Sequence, residues 1–239
     1  MMRKLLLPIL LIVSISTFAQ KKNESAVVLE LFTSQGCSSC PSADKLLDVI
    51  KKEYTSENIF VLSYHVDYWN RLGWKDPFSL SAYSDYQREY AYKFNSRSLY
   101  TPQLVVNGNI HFTGSDRNRA VQSIQTYKKQ PSLAVISLTN GQRKKSEIQF
   151  DYKVIGKRFD RITLTLVVSE RDTKVSRGEN RSRILKNSNI VANRIVKRED
   201  SGSVSIQIPE WVSEKDELSI IAYTQNNKLG TTGASKIHL

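Results

Sequence analysis

Apolar positions in the first half of the chain switch between strand-like runs and helical stripes. Residues 27–32 form a short apolar run closed by the polar turn Thr33-Ser34-Gln35-Gly36. From Cys37 onward Ala43, Leu46, Leu47 and Ile50 recur at helical spacing, which predicts a helix. Residues 59–66 are β-branched and aromatic and read as a second strand. Asp76-Pro77 is a helix start with Pro at the first position, and Tyr83, Tyr86, Tyr90 and Phe94 mark one face of that helix. Thr101-Pro102 opens a third strand over residues 103–106. Asn107-Gly108 signals a tight hairpin turn into a fourth strand over residues 109–113. Ser115 is the expected N-cap of a last helix bearing Val121, Ile124 and Tyr127. The predicted order is β-α-β-α-β-β-α.

Beyond Pro131 the texture changes to short alternating runs, at residues 133–138, 147–154, 162–168, 190–196, 204–208, 218–223 and 234–237. Asn140-Gly141 and Ser201-Gly202 are turn signals between some of them. Such spacing predicts an all-β antiparallel sandwich. The expected organisation is therefore an α/β unit over residues 20–130 followed by a β-sandwich over residues 131–239.

The first nineteen residues read differently from both. Arg3 and Lys4 precede an apolar run at residues 5–13 interrupted by Pro8, and Thr17-Phe18-Ala19 before Gln20 supplies a cleavage site. This is the layout of a secretory signal peptide, and the run is too short to span a bilayer. An uncut signal anchor is the alternative. No later segment is apolar enough to cross a membrane, so the mature chain is expected to be periplasmic or secreted. With 40% hydrophobic and 24% charged residues, wholesale disorder is excluded.

The formal charge is +12, and loss of Arg3 and Lys4 with the leader leaves +10. The basic residues are scattered, and the densest groups, Arg143-Lys144-Lys145 and Lys197-Arg198, fall at expected turns. No nucleic-acid motif accompanies them, so nucleic acid is not expected as a partner. The charge reads as a solvated surface with weak attraction for anionic envelopes.

The two cysteines, Cys37 and Cys40, are three apart and close almost no loop. A bond between them restrains the unfolded chain little, so chemistry explains them better than stability. At the N-terminus of a helix, free N–H groups and the dipole favour a Cys37 thiolate. Pro41 sits in the first turn, where its missing donor costs little. Cys40, one turn later, is placed to resolve a mixed disulfide. Two thiolates with an imidazole could alternatively hold copper(I) or zinc. Of His65, His111 and His238, only His65 is near the pair by topology, and a lone strand histidine is more often a core residue than a ligand.

The Cys pair after a strand, and Thr101-Pro102 at the start of a later strand in this element order, resemble the thioredoxin superfamily. The resemblance implies a thioredoxin-like fold for residues 20–130 and a cis peptide before Pro102, beside the cysteines. It also implies that the Thr101 backbone pairs with an extended substrate segment. A closer resemblance lies in residues 31–41, LFTSQGCSSCP, with His65-Val66-Asp67-Tyr68-Trp69, Leu72-Gly73-Trp74, Asp76-Pro77-Phe78 and Thr101-Pro102-Gln103. Gly178-Glu179-Asn180, Arg183, Leu185 and Asn189 extend it into the second half. These motifs are similar to those of a family of exported bacterial thioredoxin-like proteins of unknown function. Where that family has Asp and His, this chain has Asn70 and Asn187.

The aromatic loop with Asp67, Tyr68, Trp69 and Trp74 is expected to overhang the cysteines, as a substrate wall or as a cap on the core. Glu30 is a candidate for the buried acid that the resemblance implies, although a strand glutamate more commonly faces solvent or pairs with a lysine. His65 and Asp67 are further candidates for proton transfer or tuning. The expected activity is thiol–disulfide exchange with protein thiols or disulfides of the cell envelope, with no cofactor and no resident metal. A copper or zinc carrier, and a binding module with a static disulfide, are the alternatives.

Overall fold

The structure, a computed structural model, describes residues 25–55, 57–156 and 159–239; the expected signal peptide lies outside them. The first half runs β1 (Val27–Thr33), α1 (Cys40–Glu53), β2 (Ile59–His65), α2 (Ser81–Lys93), β3 (Gln103–Val106), β4 (Ile110–Thr113) and α3 (Arg117–Tyr127), in the predicted order. The second half is all strand: β5 (Val135–Arg143), β6 (Glu147–Ile155), β7 (Arg161–Lys174), β8 (Ile184–Lys197), β9 (Ser201–Gln207), β10 (Leu218–Gln225) and β11 (Thr231–His238).

The two halves share a sheet. Eight strands lie in the order β11-β10-β7-β8-β2-β1-β3-β4, and β5-β6-β9 form a separate antiparallel sheet. The large sheet is mixed: β1 pairs parallel with β2 and antiparallel with β3. The halves join where β2 meets β8 in parallel, at Ser63 opposite Ile190. The change of texture at Pro131 is thus no break in the sheet. Four of the seven strands expected in a sandwich of their own extend the N-terminal sheet instead, and only β5, β6 and β9 stack against them.

Burial on both faces explains why β1 reads as a continuous apolar run. On one face Leu29 and Leu31 meet Ala43, Leu47 and Ile50 of α1 and Ile124 of α3. Beside α1 on this face, Leu164, Leu166 and Ile220 pack against Ile148, Phe150 and Ile206 of the small sheet. On the other face α2 lays Tyr83, Tyr86 and Tyr90 across both halves, touching Phe32, Tyr64, Val167, Val191 and Tyr223.

Several local expectations shift. The first helix begins at Cys40, with Ser39 as its cap, and leaves Cys37 in the preceding turn. The second begins at Ser81, with Leu80 at its cap position, while the Asp76 carboxylate fixes the preceding loop by accepting from Phe78 N–H and Gln35 N–H. The third is capped by Asp116, which accepts from Arg119 N–H, and not by Ser115. Asn140-Gly141 is an irregularity inside β5, with Asn140 at φ 55°, and Ser201-Gly202 opens β9. Among the described residues no helix is long and apolar enough to cross a membrane.

Candidate functional site

Strand β1 delivers the chain to a tight turn. Cys37 N–H donates to Ser34 O at 3.2 Å, and Gly36 N–H to Ser34 Oγ at 3.1 Å. The turn sets Cys37 just ahead of α1, whose first residue is Cys40, and the two are joined as a disulfide. Pro41 falls in the first helical turn, where no N–H is needed. Ser38 and Ser39 are exposed, yet Cys37 is 1% exposed and Cys40 is fully buried. Both cysteines are thus enclosed, and only the two serines between them reach solvent.

Two loops close over the turn, and they meet where Gly178 lies against Trp74. The Thr101–Pro102 peptide is cis, and Cys37 Sγ lies 3.8 Å from Thr101 O. Pro102 packs here against the Gly114 backbone, where a Cβ on Gly114 would come within 2.6 Å of Leu31 Cδ1. Trp69 Nε1–H donates to Thr101 Oγ1 at 2.8 Å, and Trp74 Nε1–H to Gln35 Oε1 at 3.2 Å. The aromatic loop therefore holds both the residue before the cis proline and the turn before Cys37.

The second loop comes from the tip between β7 and β8. Asn180 Nδ2–H donates to Gln35 O and Cys37 O, both at 2.9 Å, and Arg183 fixes its Oδ1 at 2.7 Å. The Glu179 carboxylate accepts from Ser38 N–H at 2.9 Å, and the Ser38 side chain first and this N–H second hold its pKa below the usual glutamate range. Gly178 adopts φ +72° and lies against Trp74, so a side chain there would meet strain and a Cβ contact of 3.2 Å.

Below the disulfide lies a buried polar group that no single element supplies. His65 Nδ1 is 2.7 Å from Asp76 Oδ2, which also accepts from Gln35 N–H at 2.8 Å. Asn70 holds this loop through Asp76 N–H and Ser79 Oγ. Asn187 Oδ1 accepts from Gln35 Nε2 at 3.0 Å. Asp44, one turn along α1 from Cys40, accepts from Thr33 Oγ1 at 3.2 Å. Burial pushes the Asp44 carboxyl up to about 7, against the pull of His65, Thr33 and Asn187 and with the help of Asp76. Burial works against a charged His65, but the charge and bond of Asp76, with Asp44, outweigh it and raise its pKa. Asp44 Oδ1, His65 Nε2, Asn187 Nδ2 and Ser63 Oγ are buried without a hydrogen-bond partner. Buried polar atoms left unpaired are costly and uncommon, and three more lie on the α2 face, on Arg161 and Arg194 beside the Tyr86 ring.

Residues 28–225 match the family described as "Protein of unknown function (DUF1223)". The chain belongs to this family. It is also similar to the crystal structure of protein AGR_C_4864 from Agrobacterium tumefaciens, with 26% identity and a TM-score of 0.65, covering 90% of this chain and 95% of that one. No curated protein matches the chain.

In this DUF1223 chain Cys37, Cys40, Thr101, Pro102, Trp69 and Trp74 come together, with His65 in the polar group beneath. Asp67 does not join them: its carboxylate accepts from Ser84 Oγ of α2 at 2.5 Å. Glu30 points to the α2 face, where its oxygens accept from Tyr86 at 2.7 Å, Tyr223 at 2.8 Å and Tyr90 at 2.5 Å. The acid on the cysteine side is Asp44, which the sequence reading passed over. Its signal was an acid on the stripe of Cys40, Ala43 and Leu47. Among the described residues no group of three or more His, Cys, Asp or Glu is arranged to hold a metal.

Proposed function

We propose that this DUF1223 protein exchanges disulfides with protein thiols of the cell envelope through Cys37 and Cys40, carried on a thioredoxin-like unit of residues 27–127. The observation that supports this best is the position of Cys37 Sγ, 3.8 Å from the carbonyl of Thr101 ahead of a cis proline and just before a helix N-terminus. A helix N-terminus stabilises a thiolate, so Cys37 is the sulfur suited to leave and to attack. The leader-like residues 1–19 support an oxidising compartment, where such pairs operate.

Starting from the disulfide, a client thiolate attacks Cys37 Sγ. A client–Cys37 bond forms, the Cys37–Cys40 bond breaks, and Cys40 leaves as a thiolate. Asp44, one helical turn away and protonated near neutral pH, gives Cys40 its proton. A second client thiolate then attacks the client sulfur in the mixed disulfide and releases Cys37 as a thiolate. The client has lost two electrons, and the pair has gained them. The reverse sequence reduces a client disulfide, with Asp44 taking the proton from Cys40. Because Cys37 is buried, one of the loops over it must loosen before the first attack, and we assign that movement to the 178–180 strap.

That burial also favours a second reading, in which the disulfide is static and only fixes the turn for a binding partner. Equilibration of the protein with glutathione separates the two. An exchanging pair has a potential between about −270 and −120 mV, and a structural one lies below about −300 mV. A value in the lower range, with Cys37 unreactive to alkylation after reduction, overturns the exchange reading.

A further inference from the structure

At the far end of α1 from the cysteines the large sheet splits. Strands β2 and β8 pair only at Ser63 and Ile190, and Asn189 Nδ2 bonds Val61 O across the opening. Behind this split lies a cavity of about 510 Å³, walled by the end of α1, the start of β2 and the ends of β10 and β11. Its volume falls within the range of small-molecule sites, roughly 300–1,000 Å³. Its inner wall includes Phe60 and Ile221, and its rim carries Lys51, Lys236, His238 and Glu217.

The rim has more positive charge than its own acids answer. Lys51 is half-buried and held in place: its ammonium donates to Ser169 O at 2.8 Å and Ser169 Oγ at 2.9 Å, with a third N–H to give. The Lys236 side chain, also half-buried, has an ammonium with no hydrogen bond or ion pair among the described residues. The acids nearby are engaged elsewhere, Asp48 with Lys52 and Ser188, Glu57 with Lys128, and Glu170 with Lys186. Glu217 has no salt bridge among the described residues, and its charge acts on Lys51 after those of Glu170 and Asp48. Burial and the charge of Lys51 push Lys236 down, and Lys236 in turn holds His238 down. Two cations that repel each other at the mouth of a partly apolar cavity are stabilised by an anion between them.

We propose that this cavity binds a small amphipathic anion, with a carboxylate head between Lys51 and Lys236 and an apolar tail against Phe60 and Ile221. The site is independent of the cysteines and does not rest on disulfide exchange. Decanoate below its micellar concentration is the probe, titrated by calorimetry into the full mature chain. Decanol and inorganic phosphate are the arms that isolate tail and head. The expected result is saturable binding of one decanoate, weakened about tenfold or more in Lys236→Gln and in Lys51→Gln, with decanol and phosphate each binding far more weakly. Lys236→Gln lies on an edge strand and keeps the fold testable should Lys51→Gln unfold. Equal binding of decanol, equal binding of phosphate, or unchanged affinity in a folded Lys236→Gln would each overturn the proposal.

Discussion

Two carboxylates are buried on opposite faces of one sheet, and their surroundings differ in how completely they are satisfied. Glu30 is enclosed on the α2 face by the hydroxyls of Tyr86, Tyr90 and Tyr223, which are tied in turn to Tyr64 and Gln225. The Arg194 guanidinium lies over the Tyr86 ring at 3.9 Å and adds its charge. Asp44, on the α1 face, has one bond to Thr33 and an unpaired second oxygen. Burial raises both pKa values. Both oxygens of Glu30 are held in a closed network of tyrosine hydroxyls, although Arg194 beside it keeps Nε and Nη2 unpaired, whereas one oxygen of Asp44 is bonded to nothing and can take up a proton. A satisfied buried acid holds a fold together, and a half-satisfied one is available for chemistry.

The hardest test of this contrast removes the satisfied acid. Glu30→Ala leaves three tyrosine hydroxyls and the Arg194 charge without their acceptor in the middle of the α2 interface. The expected loss is about 3–5 kcal/mol in urea unfolding, the usual cost of breaking a buried charged network. Where the variant still folds, the disulfide should be reduced by dithiothreitol at the wild-type rate. A small stability loss, or a changed reduction rate, would make Glu30 part of the cysteine chemistry and erase the distinction.

The next effect in size belongs to Asp44 and carries a pH signature. Its pKa is 3.8 in the unfolded chain and about 7 in the folded one. Between these values the folded chain keeps a proton that the unfolded chain releases, so stability falls as pH rises. A shift of this size corresponds to a fall on the order of 2–4 kcal/mol. His65 acts in the same sense at higher pH, because the stability its raised pKa contributes is lost as pH passes that value. Asp44→Asn should therefore match wild type near pH 4 and exceed it at pH 8 by on the order of 2–4 kcal/mol. Urea unfolding at the two pH values measures this. Parallel pH profiles for variant and wild type would show that Asp44 stays ionised in the fold.

The same contrast shows what the sequence could carry. The order of elements up to residue 127 is legible because each has its own period, and the cysteines stand out by spacing alone. Asp44 was legible too, as an acid on an apolar stripe. Its surroundings were not: His65 comes from β2, Asp76 from the following loop and Asn187 from β8, and no local pattern links them. The continuous sheet depends on one pairing, Ser63 with Ile190, across 127 positions of chain, and strand pairing at that distance leaves no trace in alternation. Asn140-Gly141 shows the converse failure. It has the chemistry of a turn, but the pairing of β5 with β6 absorbs it as an irregularity.

The smallest expected effect concerns the strap, and it is larger in rate than in stability. Asn180→Ala deletes the bonds to Gln35 O and Cys37 O and the one from Arg183, a cost of about 2–3 kcal/mol given a usual net worth of about 1 kcal/mol for each such bond. If the strap is what shields Cys37, most of that loss falls on local opening, and a shift of about 1.4 kcal/mol is tenfold in the open population. Reduction of the disulfide by dithiothreitol, followed under conditions where both proteins are folded, should then accelerate about tenfold or more. Gln35 would still be held by Asp76 and Asn187, so the turn itself keeps its shape. An unchanged rate would mean that Trp69 and Pro102, and not the strap, guard Cys37, and the half-satisfied acid below it would then serve a pair opened by movement of the aromatic loop.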